Sequence, residues 1–168
     1  MKLESSYSMK IYSFPSISNQ NSKILILGTM PGVQSLALNQ YYGHQRNAFW
    51  KLLFTIFEEP FSTDYEVKKN LVLQHNVAVW DVLQACVREG SLDSAIEQEV
   101  PNDFTSFLKA HPNIKHIFFN GQKAAAFFKR YCTVSDQYKL ITLPSTSPAN
   151  AGISFEQKLK EWQIIKLI

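Results

Sequence analysis

Two kinds of apolar run alternate along this chain: short continuous runs, and longer runs in which apolar residues recur every three or four positions. The short runs predict strands buried on both faces, as in a parallel sheet. The periodic runs predict helices with one apolar face. Strands are expected at residues 24–27, 77–80, 114–119 and 139–143.

Helix signals lie between the predicted strands. Asn47 precedes one apolar helical face that stops near Pro60, and Thr63 or Asp64 starts a second helix. Further helices are expected from about residue 102 to 112, from 122 to 131 and from 154 to 167. Residues 84–101 predict a long, partly helical connection that could carry a lid.

This alternation predicts an α/β fold, a three-layer α/β/α sandwich with a four-stranded, mainly parallel central sheet. The 168 residues, 45% apolar and 18% charged, fit a single domain spanning residues 1–168. In open α/β sheets ligands bind beyond the carboxyl ends of the strands. Residues 28–46, 120–121 and 144–152 are therefore expected to share one functional edge.

Composition and net charge limit the binding partners that the sequence predicts. A net charge of +3 permits contact with nucleic acid without demonstrating it. The apolar runs are shorter than the roughly 20 residues that span a bilayer, and residues 1–12 lack the apolar core of a signal peptide. We therefore expect a cytoplasmic protein without membrane contact. Cys86 and Cys132 have neither zinc-site nor disulfide-framework spacing, so we interpret both as packing residues and expect no metal.

The turn at residues 28–32, GTMPG, lacks the spacing of nucleotide-binding loops, so no cofactor is expected. Tyr41 and Tyr42 follow in a polar loop, where covering the core and stacking on a planar ligand are equally good explanations. Asn47 is a natural helix N-cap, yet its amide can also orient a water or bind a ring. His44 and Arg46 fit either solvent exposure or phosphate binding.

The segment LPSTSPAN at residues 143–150, within the late loop that follows the last predicted strand, places three hydroxyl side chains between two prolines. It is either an ordinary turn or a contact for phosphates, since hydroxyl and amide groups position nucleic acid without reading its sequence. Asp81, after the second predicted strand, fits a general base or a helix N-cap.

These segments together, GTMPG, YYGHQRNAFW, NG and LPSTSPAN, resemble the uracil-DNA glycosylase superfamily, specifically its hypoxanthine-DNA (deoxyinosine) glycosylase branch. The similarity spans nearly the whole chain. The mismatch-specific uracil branch has a water-positioning Asn at the third residue of the turn, where this chain has Met30. A thioether cannot orient water firmly, so the departure argues against the usual uracil mechanism.

The resemblance implies a role for each matching residue. Asn47 matches the catalytic amide, Tyr42 the aromatic under the flipped base, and Asn120 the amide at its polar edge. It also implies a pocket that further includes Gly28, Met30, Pro31, Gly32 and His44. The late loop matches the segment that presses the DNA backbone and inserts into the duplex, here Ser145, Thr146, Ser147, Pro148, Ala149 and Asn150.

The resemblance therefore implies a monofunctional DNA glycosylase that hydrolyses the N-glycosidic bond of a deaminated base in double-stranded DNA. We expect it to act as a monomer without cofactors. Three alternatives stay open. They are excision of uracil or xanthine, a non-catalytic DNA- or nucleotide-binding module, and action on a free nucleoside. Lys123, close to Asn120, also leaves a lyase activity open.

Overall fold

The computed structural model describes residues 9–168. Residues 1–8, which carry most of the segment relevant to a signal peptide, lie outside the described part. The strands are β1 (Lys10–Tyr12), β2 (Ile24–Gly28), β3 (Val77–Asp81), β4 (Leu83–Val87), β5 (Glu97–Pro101), β6 (His116–Asn120) and β7 (Lys139–Leu143). The helices are α1 (Val33–Leu38), α2 (Phe49–Ile56), α3 (Tyr65–Gln74), α4 (Phe104–Ala110), α5 (Gln122–Tyr131) and α6 (Phe155–Trp162).

The central sheet has the strand order β3-β2-β6-β7, and every neighbouring pair is parallel. All four strands predicted from the apolar runs are present. The sequence expectation of a four-stranded parallel sheet in an α/β fold is confirmed. Because the strands are parallel, their carboxyl ends at Gly28, Asp81, Asn120 and Leu143 lie along one edge.

Both faces of the sheet are covered, which explains the continuous apolar character of β2. Ile24 and Ile26 belong to a core cluster packed by α2, α3 and α6. Leu25 and Leu27 point to the other face, into a cluster packed by α4 and α5. Strand side chains alternate between faces, so a strand buried on both sides must be apolar at every position.

The expectation of a partly helical connection over residues 84–101 is wrong. This segment forms β4 and β5, which pair antiparallel and join β1 in a second sheet of order β1-β4-β5. Its only helical part in the described structure is one 3₁₀ turn, Asp93–Ala95. Leu83 and Cys86 of β4 are buried in the core cluster on one face of the central sheet, so this packing favours a strand at β4.

Other boundaries differ by a few residues. The connection between β2 and α2 contains α1, a six-residue helix that the sequence did not predict. The last helix ends at Trp162 and continues as a 3₁₀ turn over Gln163–Leu167. Cys86 is buried in the core and Cys132 is half-buried; neither forms a disulfide. Within residues 9–168, no helix has the length and apolar character needed to cross a membrane.

Candidate active site

Two loops meet at the carboxyl edge of the central sheet. We call residues 29–48, between β2 and α2, the first loop, and residues 144–153, between β7 and α6, the late loop. The backbone N–H of Ala48 donates to the carbonyl of Thr146 at 3.0 Å, which joins the two loops directly. The carboxyl edge therefore brings together segments that lie about a hundred positions apart in sequence.

A narrow cavity of about 130 Å³ opens between these loops, and we call it the edge cavity. It is well below the roughly 300–1,000 Å³ of pockets for larger ligands, so its size suits one small planar group. Its lining combines aromatic, amide, imidazole, hydroxyl and carboxyl groups: Pro31, Gly32, Val33, Gln34, Ser35, Tyr41, Tyr42, His44, Asn47, Asp81, Ser91, Ser147 and Pro148.

Tyr42 lies in this cavity with one ring face stacked on Phe49, at a centroid distance of 3.9 Å and an interplanar angle of 23°. Its backbone φ of +54° lies in the left-handed region, which is unusual for a bulky residue. Its hydroxyl oxygen is buried and has no hydrogen-bond partner within residues 9–168. Burial and the nearby Asp81 raise the pKa of Tyr42, so the phenol stays neutral.

Gly28 permits this arrangement at the end of β2. A Cβ atom there would lie 2.6 Å from Tyr42 Oη and 2.7 Å from Asp81 Oδ1. The Tyr42 hydroxyl and the Asp81 carboxyl group therefore both lie against the backbone of Gly28, in space that a side chain at this position would fill. The close approach, rather than a special backbone angle, is what requires glycine.

Asp81 is the last residue of β3 and is only 3% exposed. The sequence allowed a helix N-cap here, but β4 follows β3, so that interpretation is wrong. Its Oδ2 accepts a hydrogen bond from the Ser13 hydroxyl at 2.7 Å. Burial raises the pKa of Asp81 to about 7, although the bond from Ser13 favours the charged form.

Asn47 faces the same cavity. Its Oδ1 accepts the backbone N–H of Phe49 at 3.0 Å, which orients the amide at the start of α2. Ala48 occupies the N-cap position itself, so the side chain of Asn47 supports the helix from one residue further out. An amide oxygen has two lone pairs, and Oδ1 can therefore also accept from a water while Nδ2 donates.

His44 has a defined orientation as well. Its Nδ1 accepts the backbone N–H of Arg46 at 3.0 Å. A neutral imidazole that accepts at Nδ1 carries its proton on Nε2, so His44 can present a donor to a ligand in the cavity. Arg46 is exposed and does not line the cavity.

The two adjacent tyrosines have different surroundings. Tyr41 is 3% exposed and donates to the carbonyls of Phe14 and Pro15 at 2.9 and 3.0 Å. Its carbonyl accepts the indole N–H of Trp50 at 2.8 Å. Tyr41 therefore holds the first loop in the core, and Tyr42 is left as the aromatic available to a ligand.

The turn at residues 28–32 is divided between the core and the cavity. Met30 is 7% exposed and packs in the apolar cluster beneath the sheet, so its thioether does not line the cavity. Pro31 and Gly32 do line it. The carbonyl of Pro31 accepts a hydrogen bond from the buried guanidinium of Arg88, which anchors the turn to β4 and its following loop.

Asn120 lies at the end of β6 and is engaged by the late loop. Its Nδ2 donates to Thr146 Oγ1, and its Oδ1 accepts the Thr146 backbone N–H, both at 2.9 Å. Both polar atoms of the amide are thus used in holding Thr146. Asn120 does not line the cavity.

The late loop is stiffened by its own hydrogen bonds. Ser145 Oγ accepts from the N–H of Ser147 at 3.2 Å, and Ser147 Oγ accepts from the N–H of Ala149 at 3.1 Å. Asn150 Nδ2 donates to the Ser145 carbonyl at 3.1 Å. Because the serine oxygens act as acceptors here, their O–H groups remain available to donate to an incoming anion.

A wider groove of about 780 Å³, which we call the outer groove, runs beside the edge cavity. Its lining includes residues 91–94 and four residues of the late loop, Ser145, Ser147, Ala149 and Asn150. Ser91 and Ser147 face both spaces, so the cavity opens from the groove. Pro148 lines only the cavity, and the carboxylates of Asp93 and Glu161 add negative charge to the groove.

Sequence reasoning missed two serines that line the edge cavity, one that follows β4 of the second sheet and one in α1. Ser91, after β4, accepts the N–H of Val33 at 2.8 Å and lies 3.2 Å from where a Gly32 Cβ would be. Ser35 of α1 accepts the N–H of Gly43 at 2.9 Å. Neither residue has a motif, and only the tertiary fold reveals them. Among the described residues, no group of three His, Cys, Asp or Glu side chains is arranged to hold a metal ion.

A known protein family matches most of this chain. The family model of the uracil DNA glycosylase superfamily matches residues 15–166. The chain therefore belongs to the uracil DNA glycosylase superfamily, as the sequence motifs indicated.

Individual relatives are similar over most of their length. A protein from Methanosarcina acetivorans named hypoxanthine DNA glycosylase is 37% identical over 153 residues, covering 90% of this chain and 95% of that protein. One of the same name from Methanosarcina barkeri is 38% identical over 120 residues, covering 71% and 76%. A solution NMR structure of a candidate uracil DNA glycosylase from M. acetivorans has a TM-score of 0.79 at 34% identity, covering 93% and 96%.

Proposed function

We propose that this protein is a hypoxanthine DNA glycosylase, which removes the deaminated purine from double-stranded DNA by hydrolysis and leaves an abasic site. The observation that carries the proposal is the shared cavity of Tyr42 and Asn47, a stacking ring beside an oriented amide. The names of the two Methanosarcina relatives support the choice of base. We further expect a monomer that acts in the cytoplasm, associated with the nucleoid in a bacterial cell.

Base flipping supplies the first step. A target base must leave the stack before an enzyme can reach its glycosidic bond, at a cost of a few kcal/mol that is least at a mismatch. The free face of Tyr42, opposite its stack on Phe49, offers the flipped ring a surface. Base stacking on an aromatic side chain is worth about 1–3 kcal/mol, so Tyr42 offsets part of the flipping cost.

Hydrolysis follows at the sugar. Asn47 Oδ1 holds the attacking water, and its orientation comes from the Phe49 N–H. As the C1′–N9 bond lengthens, negative charge develops on the base, and donors such as His44 Nε2–H stabilise it. Met30 packs away from the cavity, which supports Asn47 rather than the turn as the source of the water-orienting group.

The late loop supplies the DNA contact. Its hydroxyl groups border the opening of the cavity along the outer groove and can donate to phosphates on either side of the flipped nucleotide, against the opposing charge of Asp93 and Glu161 in the same groove. Asn120 contributes indirectly, by holding Thr146 and with it the loop. We assign Ser145, Ser147, Ala149 and Asn150 to the duplex backbone and Pro148 to the gap left by the base.

A substrate panel tests this function. Labelled duplexes with one hypoxanthine, uracil or xanthine and a labelled hypoxanthine single strand are incubated with the protein, and abasic sites are revealed by alkali. Free deoxyinosine is incubated in parallel, and the released hypoxanthine is measured by chromatography. Preferred cleavage at hypoxanthine in the duplex supports the proposal. Preferred release of uracil or xanthine, turnover of the free nucleoside, or binding without base release would each replace it with the corresponding alternative.

A further inference from the structure

We propose that Asp81 is a further catalytic residue, the general acid that donates a proton to N7 of the leaving purine. This inference rests on the proposed glycosylase function and adds a group that the motif comparison did not assign. Three observations carry it: the burial of the carboxyl, its position in the edge cavity, and the sign of the charge that develops on the base.

Position comes first. Asp81 ends β3 and lines the cavity shared by Tyr42 and Asn47. Ser13 occupies Oδ2, and the other oxygen, Oδ1, lies 2.7 Å from the point where a Gly28 Cβ would project. Tyr42 Oη lies 2.6 Å from the same point, so the missing side chain of Gly28 makes room for both oxygens, and within residues 9–168 no side chain donates a hydrogen bond to Oδ1. One oxygen is therefore anchored, and the other is available to a ligand.

The negative charge that develops on the leaving base determines which protonation state of Asp81 would assist the reaction. An ionised carboxylate beside the base would repel the negative charge that builds up as the glycosidic bond breaks, and it would slow the reaction. A neutral carboxyl group has the opposite effect because it donates. N7 belongs to the same five-membered ring as N9, so a proton there withdraws electrons directly from the breaking bond.

The surroundings of Asp81 favour the neutral form near neutral pH. Burial raises its pKa to about 7; the Ser13 hydroxyl acts against this, Asp93 adds to it and Arg88 also acts against it. From the first loop, Tyr41 and Tyr42 face the same region, and burial raises the pKa of both, so they remain neutral. His44 is the remaining ionisable side chain that lines the cavity.

The proposed step conserves atoms and charge. The Asp81 carboxyl proton moves to N7, the C1′–N9 bond breaks, and its electron pair stays with the base, which leaves as neutral hypoxanthine. The oxygen of the water held by Asn47 bonds to C1′, and the proton that this water loses restores the neutral carboxyl of Asp81.

Single-turnover excision as a function of pH tests the assignment. With the wild type, the rate on hypoxanthine duplexes should fall about tenfold per pH unit above about pH 7, as expected when one protonated acid is required. Asp81→Asn keeps a hydrogen-bond donor but cannot transfer its proton, so it should be slower and lack this alkaline decline. Asp64→Asn, the same change at the exposed N-cap of α3, is the matched control and should behave as the wild type.

A modified substrate identifies the acceptor. Replacing N7 by a C–H group, in a duplex with 7-deaza-2′-deoxyinosine, should slow the wild type, and Asp81→Asn should slow it no further. Full additivity of the substrate change and the Asp81→Asn change would overturn the assignment, because groups that act as one unit show strong non-additivity.

Two further variants keep the test decisive if Asp81→Asn folds poorly. Ser13→Ala removes a bond that favours the charged form of Asp81, so the alkaline decline should move to higher pH. In His44→Gln the decline should stay in place. A decline unmoved by Ser13→Ala, or one that disappears with His44→Gln, contradicts the assignment.

Stability gives a readout that does not depend on activity. The pKa of Asp81 is higher in the folded chain, about 7, than its ordinary 3.8. Its contribution to folding is therefore complete below pH 3.8 and is lost as pH rises toward 7. Asp81→Asn should flatten the melting temperature over that range. Excision of hypoxanthine by a wild type whose alkaline decline is unchanged in Asp81→Asn would overturn this inference alone, whereas no excision by the wild type would also overturn the proposed function.

Discussion

The first loop and the late loop border the same cavity, but they are held in different ways. The first loop is fixed by buried side chains: Tyr41 bonds to Phe14 and Pro15, and Arg88 binds the carbonyl of Pro31. The late loop is tied to the core mainly at Thr146, which bonds to Asn120 and to the Ala48 N–H, and at the Pro144 carbonyl, which accepts from the Trp162 indole. Its remaining hydrogen bonds are short-range bonds within the loop. The first loop thus forms a rigid pocket wall, and the late loop holds polar groups at the border of the cavity.

The contrast has a functional meaning. Bond cleavage requires groups placed to within fractions of an ångström, whereas contact with a DNA backbone tolerates variation in sequence and shape. Changes in the first loop should therefore reduce the rate of the chemical step, and changes in the late loop should mainly reduce affinity for the duplex.

Apart from the loss of Asn47 itself, Gly28→Ala should have the largest effect on activity. The new methyl group would meet Tyr42 Oη and Asp81 Oδ1 at 2.6 and 2.7 Å, so both side chains must move. A displacement of about 1 Å costs about 100-fold in rate, and overpacking costs about 1–3 kcal/mol of stability. Single-turnover excision and thermal unfolding measure the two effects. Gly152→Ala, where the late loop leaves open space, is the control; an equal loss there would contradict the contrast.

Asn120→Ala should have the next largest effect, on the late loop. It leaves the N–H and Oγ1 of Thr146 without their partner in a buried position, at about 1–3 kcal/mol for each group left unsatisfied. Unfolding in urea measures the loss, and DNA affinity should fall with it. Thr146→Ser keeps both bonds and should change neither quantity. A stable Asn120→Ala protein with normal affinity would show that this pair does not hold the loop.

Tyr42 offers a pair of substitutions with opposite results. Tyr42→Phe removes a buried hydroxyl that lacks a partner in the described chain, so the free protein should gain about 1 kcal/mol of stability. Tyr42→Leu loses the stacking ring, and affinity for hypoxanthine duplexes should fall by about 1–3 kcal/mol. Calorimetric unfolding and fluorescence titration distinguish them. A destabilised Tyr42→Phe protein would show that the Tyr42 hydroxyl does have a hydrogen-bond partner in the free protein.

Ser147→Ala should have the smallest effect. It removes one hydroxyl donor from the boundary between the cavity and the outer groove, worth about 0.5–1.5 kcal/mol of DNA affinity. The excision rate of bound substrate should not change, because Asn47 and Asp81, and not Ser147, are assigned to the glycosidic bond and the leaving base. Titration at fixed salt followed by single-turnover kinetics separates the two quantities. A changed excision rate with unchanged affinity would assign Ser147 to the pocket instead.

The sequence predicts the central sheet well because its strands are apolar at every position, a pattern that follows directly from burial on both faces. It fails at residues 84–101, where β4 and β5 are strands through pairing with β1 and packing on the core, neither of which is a local signal. The motif predicts Tyr42 and Asn47 together, and both line the cavity. Met30 and Asn120 share the motifs but not the cavity, because spacing does not reveal which way a side chain points.

The central claim, that Asn47 orients the water, is tested most directly by two variants in single-turnover excision of hypoxanthine from a duplex. Asn47→Ala should lose about 100- to 1,000-fold in rate, as expected for loss of one oriented polar group. Asn47→Asp keeps an acceptor for the Phe49 N–H, and thus the start of α2, so it separates catalysis from folding. A folded Asn47→Ala protein that excises hypoxanthine at the wild-type rate would contradict the account.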